Sequence, residues 1–270
     1  MTPLVLWLVL LGAPAAEGPA PQAPLVEDEL EADPVEPDFV VVNLPTTARL
    51  PKGKLAFRVT HRFARGLGAG DFSDLASDFF GLDGGAQIGL ELRFGLTRGT
   101  QLGIYRTSDR SLEFFLSRSL LRQGTAPLSV QLDLAIEGLD NFSEEYSPRI
   151  GLTSSRRLGT RAALYLAPAF VGNTNLGAAG GDDGSLVMGL GGRLRVTDKT
   201  SLLVEAHPRL FGYDGGRDAL VAVGIERVVG GHAFQLSVSN ELGTTPAQIA
   251  RGRQGRDDWF LGFNISRKFY

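Results

Sequence analysis

The sequence predicts an all-β fold, a transmembrane antiparallel up-and-down β-barrel of about 12 strands. From about residue 54 onwards, segments of about ten residues alternate apolar and polar positions, which indicates strands with one apolar face. The linkers between these segments are alternately long and short, and transmembrane barrels carry long loops at one end and short turns at the other. These two observations predict an architecture and a compartment, but they do not predict a substrate.

The N-terminus has the pattern of a secretory signal peptide, which we place at residues 1–16. An apolar run at 3–11 is followed by Ala13-Pro14-Ala15, which supplies the small residues of a cleavage site. The run is too short for a transmembrane helix, which needs about 20 apolar residues. A membrane-anchored N-terminus is the alternative interpretation. Together with the predicted barrel, the signal peptide indicates the bacterial outer membrane.

Residues 17–49 are predicted to form a periplasmic leader. The stretch 17–38 is rich in proline and acidic residues and has no lysine or arginine, so it cannot bury enough apolar surface to fold. We expect a disordered, solvated segment, and an acidic docking tail is the alternative. The apolar residues 39–44 interrupt this leader. They could form a short strand, a plug segment in the lumen or a periplasmic contact.

Twelve strand candidates follow in the predicted barrel domain, residues 50–270. In the fifth candidate, Leu132 and Leu134 share an apolar face, while Gln131 and Asp133 share a polar face. A tilted strand of about 9–11 residues crosses a bilayer, and the candidates have this length. They lie near 54–64, 86–95, 98–107, 110–121, 127–137, 148–157, 160–171, 186–196, 200–210, 218–228, 231–241 and 258–269.

Linker length distinguishes the two ends of the predicted barrel. The long linkers lie at 65–85, 138–147, 172–185, 211–217 and 242–257. All of them are odd-numbered, the even-numbered linkers are short, and the third linker, at 108–109, is short as well. Both ends of the chain then lie on the short-linker side. This is the periplasmic side in bacterial outer-membrane barrels.

The C-terminal strand and the net charge bear on partners. Trp259, Leu261 and Phe263 alternate along the last strand, which ends in Phe269 and Tyr270. A terminal aromatic strand resembles the signal that the outer-membrane barrel-assembly machinery reads, so we expect this machinery and the lipid bilayer as partners. A net charge of −3 is too small to indicate nucleic acid. The sequence names no periplasmic partner.

Several short motifs resemble a known family. They are Leu-Pro-Lys-Gly-Lys-Leu at 50–55, His-Arg-Phe at 61–63, Phe-Gly-Leu-Asp-Gly-Gly-Ala at 80–86, Gly-Ile-Tyr-Arg at 103–106 and Gly-Phe-Asn-Ile-Ser-Arg at 262–267. In this order they resemble the bacterial β-barrel family catalogued as domain of unknown function 5777, over roughly residues 50–270. The resemblance implies an outer-membrane barrel, and it implies no known activity or catalytic residue.

The residues that could carry chemistry are few. None of the histidines, His61, His207 and His232, has the spacing of a metal-ligand motif, and the chain has no cysteine. We therefore predict no metal site, no cofactor and no enzymatic activity. An outer-membrane lipid-modifying hydrolase, with a serine activated by one of these histidines, is a weaker alternative.

Strand alternation points a set of charged side chains into the predicted lumen, where seven arginines nearly balance six carboxylates. These candidates, with one histidine, are Arg58, Arg62, Glu91, Arg93, Glu113, Asp133, Glu137, Arg149, Arg193, Arg195, Glu205, His207, Arg209 and Glu226. The opposed charges could line a weakly selective pore or pair in a packed polar core. The first hypothesis predicts a small-solute channel or transport accessory. The second predicts a non-conducting scaffold that binds a periplasmic or surface partner.

Overall fold

The computed structural model describes residues 35–77, 79, 84–176, 184–212, 219–252 and 258–269. The predicted signal peptide, residues 17–34 of the predicted leader and Tyr270 lie outside these described residues. The described chain consists of an N-terminal segment, a β-barrel and the connections between its strands.

The strand segments of the described residues are β1 (Leu55–Gly66), β2 (Ala86–Thr97), β3 (Thr100–Thr107), β4 (Leu112–Leu121), β5 (Ser129–Gly138), β6 (Glu144–Leu158), β7 (Ala162–Gly172), β8 (Gly184–Arg195), β9 (Thr200–His207), β10 (Arg209–Gly212), β11 (Leu220–Val229), β12 (His232–Ser239) and β13 (Phe260–Phe269). The antiparallel sheet closes because β1 pairs with both β2 and β13. Both β9 and β10 pair with β8, so they are one strand interrupted at Pro208. Proline has no N–H to donate to the ladder. The predicted barrel of 12 strands is therefore confirmed.

Successive residues of each strand face opposite sides of the barrel wall. On β5, Leu134 is 39% exposed on the outer face, whereas Asp133 is 2% exposed on the inner face. On β2, the large apolar side chains Ile88, Leu90 and Leu92 are likewise exposed on the outer face. The wall is thus apolar outside and polar inside, as a barrel in lipid requires.

The two ends of the barrel differ in their connections. We call one end the short-turn rim, which carries the tight connections at 98–99, 159–161, 196–199 and 230–231. The other end is the long-loop rim, with connections at 67–85, 139–143, 173–183 and 240–259. The connection at 108–111 is short although it lies at the long-loop rim, because a tight turn forms in which Arg110 N donates to Thr107 O at 3.0 Å.

Among the described residues, three short segments lie in long-loop connections: the helix α1 (Phe72–Ser77), the turn α2 (Leu139–Phe142), in which Asp140 and Asn141 have positive φ, and the helix α3 (Pro246–Arg251). The last of them begins at a capping box, in which the Thr245 side chain accepts from Gln248 N and the Gln248 side chain accepts from Thr245 N. Pro246 occupies the first turn, where its missing N–H costs nothing. In the described parts of the chain, no helix is both long and apolar enough to span a membrane.

Residues 35–50, which we call the plug, lie inside the barrel. They form a tight hairpin in which Val41 N donates to Leu44 O at 2.8 Å and Thr46 N donates to Phe39 O at 2.9 Å. Of the three interpretations of residues 39–44, the structure shows the segment in the lumen. The described part of the predicted leader, residues 35–49, is ordered because, as described next, the barrel wall supplies partners for its backbone.

Candidate functional site

The inner face of the barrel is a layer of polar and charged side chains around the plug. Eleven of the fourteen lumen candidates are at most 8% exposed: Arg58, Arg62, Glu91, Arg93, Glu113, Asp133, Glu137, Arg193, Glu205, His207 and Glu226. The other three, Arg149, Arg195 and Arg209, are half-buried. Burying this many charges is costly unless each has a partner. The contacts of these side chains therefore decide what the site can do.

The tip of the plug is held by the carboxylate of Glu205, on β9. Three consecutive backbone N–H groups converge on it, from Val42 at 2.9 Å, Asn43 at 3.0 Å and Leu44 at 2.9 Å. The side-chain amide of Asn43 donates to the same carboxylate at 3.0 Å. His207 Nε2 lies 3.3 Å from Glu205 Oε1. The tight hairpin thus forms a backbone nest for an anion, and the wall supplies the anion.

A second contact to the tip comes from β1 and β13. Arg62 Nη2 donates to Asn43 Oδ1 at 3.1 Å, and Arg62 Nη1 donates to Asn264 Oδ1 at 3.0 Å. Asn264 Nδ2 in turn donates to Val42 O at 2.9 Å. Side chains of β1 and β13, the two strands that pair where the barrel closes, therefore bond both to each other and to the plug.

A third contact involves the N-terminal arm of the hairpin, which precedes the tip at Asn43. Arg193 Nη2 donates to Val40 O at 3.1 Å and forms an ion pair with Glu226 at 3.0 Å. Gln235 Nε2 donates to the same carboxylate oxygen of Glu226 at 2.8 Å. The arginine thus connects a wall carboxylate to the plug backbone.

The C-terminal arm of the plug, which follows the tip, is held by uncharged polar side chains. Gln101 accepts from Leu50 N at 3.2 Å and donates to Ala48 O at 3.1 Å. The hydroxyl oxygens of Thr47 and Ser155 are 2.6 Å apart. These contacts are on β3 and β6, so the plug touches the wall on several sides.

Apolar packing fixes the depth of the plug. Leu44 lies against Gly189 and Gly191 on the inner face of β8, where an added Cβ would come within 2.2 Å and 2.5 Å of the leucine side chain. Val41 and Val42, with no exposed surface, belong to the same apolar cluster. Two glycines on one face of a strand thus make the recess that the tip of the plug fills.

An arginine–glutamate–arginine set lies near the base of the plug. Glu91 pairs with Arg58 at 2.5 Å and with Arg93 at 2.9 Å. The guanidinium of Arg93 also lies 4.5 Å from the ring centroids of Phe39, in the plug, and Phe115, in the wall. Each charge therefore has a partner, and the plug contributes a cation–π contact.

The helix α3 folds inward from the long-loop rim and closes the barrel above the plug. Its Arg251 donates to Glu137 Oε1 and to Ser147 Oγ, both at 2.8 Å. Arg209 Nη2 donates to Ala250 O at 2.6 Å, at the C-terminal end of the helix, where a cation is favourable. The buried Glu137 and the half-buried Arg209 of the wall are therefore both bonded to the same loop.

The same loop makes a contact with the short connection at 108–111. Gln248 Nε2 donates to Asp109 Oδ2 at 2.7 Å. Partial burial alone would raise the pKa of Asp109, but hydrogen bonds from Thr107 and Ser111 outweigh it and hold the pKa below its usual value. The Asp109 side chain is therefore a charged acceptor for α3 at neutral pH.

The remaining candidates have local surroundings. Asp133 accepts from Ser117, Thr153 and Gln131, so its partners are hydroxyls and an amide. Glu113 lies opposite Glu137 on the neighbouring strand and lines a cavity together with Arg149. Arg195 lies apart from these groups, because it pairs with Asp198 at 2.9 Å in a turn of the short-turn rim.

Small cavities lie between the plug and α3. Among the described residues, two of them have volumes of about 50 Å³ and about 30 Å³, and they share the lining residues Asn43, Pro45, Asp133, Arg149 and Pro246. A cavity of this size holds a few water molecules. Neither of these two cavities has room for a sugar or an amino acid.

The histidines have partners other than serine. His61 stacks on Phe263 on the outer face, with ring centroids 4.8 Å apart, and His232 Nε2 lies 3.2 Å from Arg267 Nη1. His207 faces Glu205, as described above. Among the described residues, no group of three or more histidine, aspartate or glutamate side chains could hold a metal ion. These contacts give no support to the hydrolase interpretation.

Sequence reasoning missed several residues of this site. Arg251 lies in a connection without strand periodicity, although the Thr-Pro-Ala-Gln pattern at 245–248 is a local signal for a helix start. Asn264, Gln101 and Gln235 carry no charge, so the balance of charges that predicted the lumen residues did not include them. Their positions on the polar face of alternating strands could have identified them.

Comparison with known proteins agrees with this architecture. The NanC porin shares 7% sequence identity, with a TM-score of 0.52, over 80% of this chain and 99% of that chain. The KdgM porin shares 10% identity, with the same TM-score and coverage. At this level of identity the similarity shows the fold alone. No curated protein matches the sequence.

The family comparison is more direct. The model of a membrane-bound beta barrel domain, domain of unknown function 5777, matches residues 38–269. The match includes most of the plug as well as the barrel, so the resemblance seen in the sequence is confirmed and extends twelve residues further towards the N-terminus than the predicted boundary at residue 50. The chain therefore belongs to the family of membrane-bound β-barrels known as domain of unknown function 5777.

Proposed function

We propose that the protein is a small-solute channel of the bacterial outer membrane, held closed at rest by its own plug and opened when the plug withdraws through the short-turn rim. We place this rim on the periplasmic side, where short turns are expected. The lipid bilayer and, through β13, the barrel-assembly machinery remain its proposed partners. The proposal concerns small polar solutes, because the wall that faces the plug is polar.

The observation that carries the proposal is the path of the plug. Both of its arms lead to the short-turn rim: Phe39 contacts Lys268 near the end of β13, and Leu50 is followed closely by the start of β1. A hairpin that enters and leaves by the same opening can be withdrawn without threading a chain end through the barrel. The tip, at Asn43, is the deepest point.

The polar contacts of the plug are of a kind that water can replace. Glu205, Arg193 and Gln101 accept from or donate to its backbone, and Arg62 donates to the side chain of Asn43. The net contribution of each such bond is limited, to about 1.5–3 kcal/mol when one partner is charged and less when both are neutral, because the separated groups bond to water instead. Withdrawal would leave a wall that is mostly polar and charged, with an apolar patch where Leu44 and its neighbours had packed. Opposed charges on that wall predict weak ion selectivity.

The absence of native cysteines allows a clean test. The hydroxyl oxygens of Thr47 and Ser155 are 2.6 Å apart, so the double variant Thr47→Cys/Ser155→Cys can form a disulfide that locks the plug to β6. In planar bilayers we expect conductance steps from the reduced protein and their loss on oxidation. Reduction with dithiothreitol restores them. The matched control, Thr174→Cys/Ser185→Cys, joins hydroxyl positions 2.8 Å apart outside the plug and leaves conductance unchanged on oxidation.

The second candidate function is the non-conducting scaffold, which the filled interior favours. In that case the wild-type protein, and both cysteine pairs in either redox state, show no conductance steps although the barrel is folded in the membrane. Folding is checked independently by heat-modifiable electrophoretic mobility. Silence under all these conditions contradicts the channel proposal.

A further inference from the structure

The outer face of the barrel has a groove across strands β11, β12 and β13. It is lined by Ile225, Phe234, Leu236, Phe263 and Ile265, and its volume is about 420 Å³. Ligand pockets have volumes of roughly 300–1,000 Å³, so the groove has room for part of a lipid chain. Its apolar side chains point away from the lumen, towards the position of the bilayer.

At the short-turn end of this groove lies a group of basic side chains, which we call the basic cluster: Arg227, His232 and Arg267. They lie on three adjacent strands, since Arg227 is opposite Phe234, two residues along β12 from His232, and His232 is opposite Arg267. Arg267 Nη1 lies 3.2 Å from His232 Nε2, and the His232 ring stacks on Phe234 at 5.7 Å. The cluster is therefore continuous with the apolar groove.

The charge of the basic cluster is not balanced on this face. The outward positions of β9, β11, β12 and β13, all within the described residues, carry no acidic side chain. Arg227 Nη1 donates to Thr200 Oγ1 at 3.4 Å, which uses one of the five N–H donors of its guanidinium. Arg227 and Arg267 are both exposed. The remaining N–H donors of Arg227 could bind an anion that approaches from outside the barrel.

We propose that this face binds one anionic phospholipid, with its phosphodiester at the basic cluster and an acyl chain along the groove. The chain contacts alone give no preference, because the bilayer interior is as apolar as the groove. The headgroup decides selectivity, since each arginine near the membrane surface favours an anionic lipid by about fivefold. The site is separate from the plug, and it rests on the membrane assignment but not on conduction.

A matched control lies on the opposite side of the barrel. Arg118, on β4, also faces outward near the short-turn rim, but it donates to Arg98 O at 3.2 Å and to Thr100 Oγ1 at 2.6 Å. No histidine or second arginine lies opposite it, since its strand partners are Thr100 and Leu132. Arg118→Gln therefore removes an equivalent charge without touching the basic cluster.

The test is native mass spectrometry of the full barrel released from nanodiscs that contain equal amounts of phosphatidylglycerol and phosphatidylethanolamine. We expect one retained phosphatidylglycerol, with retention lowered about 25-fold in Arg227→Gln/Arg267→Gln. The Arg118→Gln variant should retain it like the wild type. As a second readout, tryptophan in Phe234→Trp should be quenched by brominated phosphatidylglycerol more than by brominated phosphatidylethanolamine.

The opposite results overturn the proposal. Equal retention of the two lipids, or an equal loss in Arg118→Gln, means that the arginines act only as general interfacial charges. Because conductance is measured separately, a silent barrel that still selects phosphatidylglycerol contradicts the channel and supports the lipid site. A conducting barrel without lipid preference does the reverse.

Discussion

The contact between Glu205 and the tip of the plug gives the sharpest prediction. In Glu205→Gln, an NH₂ group replaces one carboxylate oxygen. Asn43 Nδ2, which donates to Oε1 at 3.0 Å in the wild type, then faces another donor. The three backbone N–H groups of Val42, Asn43 and Leu44 then donate to a neutral amide oxygen instead of a carboxylate. We expect the plug to withdraw more often, because its tip loses its anion.

The magnitude follows from these four bonds. One lost bond to a charged group costs about 1.5–3 kcal/mol, and three bonds that become neutral lose about 1 kcal/mol each. Glutamine costs less to bury than a carboxylate, which offsets part of this loss. A net change of about 2–4 kcal/mol remains, which raises the ratio of open to closed protein by roughly 30- to 700-fold, since 1.4 kcal/mol is a factor of ten.

The assay is single-channel recording in planar bilayers, with the open fraction as the measured quantity. The matched control is Glu226→Gln, because Glu226 is equally buried but bonds to the wall residues Arg193 and Gln235. We expect this control to lower the free energy of unfolding, since it leaves Arg193 without its carboxylate, and to raise the open fraction far less. If both variants open equally, or if folded Glu205→Gln stays as closed as the wild type, the reasoning about the nest is wrong.

Three further predictions concern the wall, the recess and the loop. Leu134→Arg on the outer face should cost about 2–4 kcal/mol in bilayer folding titrations, whereas Asp133→Asn should cost about 0.5–1.5 kcal/mol because its partners are hydroxyls and an amide; equal costs would contradict the assignment of faces. Gly191→Val should fill the recess of Leu44 and raise the open fraction, and an unchanged recording would contradict the packing described. The lowered pKa of Asp109 means that its contribution to stability is complete above the unfolded value of about 3.9 and is lost only as the pH falls through the lower folded value; protection of the α3 loop from proteolysis should therefore be constant from pH 5 to pH 8, and a loss within this range would contradict the assignment.

The barrel could be predicted from the sequence because its signal is local and repeated. Each strand alternates apolar and polar residues over about ten positions, which identifies its two faces. The alternation of long and short linkers then assigns each connection to one end of the barrel. The short third linker illustrates this, since its place among the long connections followed from parity alone.

The plug could not be predicted because its signal is neither local nor repeated. The contact between Glu205 and Val42 spans 163 residues, and five apolar residues with one asparagine in a polar stretch fit several structures equally well. Gly189 and Gly191, on the inner face of one strand, form the recess for Leu44. The sequence alone does not show which side chain fills the space beside these two glycines.

The contact of the plug with both Arg62 and Asn264 has a consequence for how the protein is made. These residues are on β1 and β13, the first and last strands, and Asn264 is 222 residues away from its partner Val42. Contacts this distant in sequence form late in folding, after the loops between them have closed. The N-terminal segment is synthesised first, yet the site that receives it exists only when the last strand has arrived. A newly assembled barrel therefore passes through a stage with its interior hydrated, and it becomes filled as its seam closes.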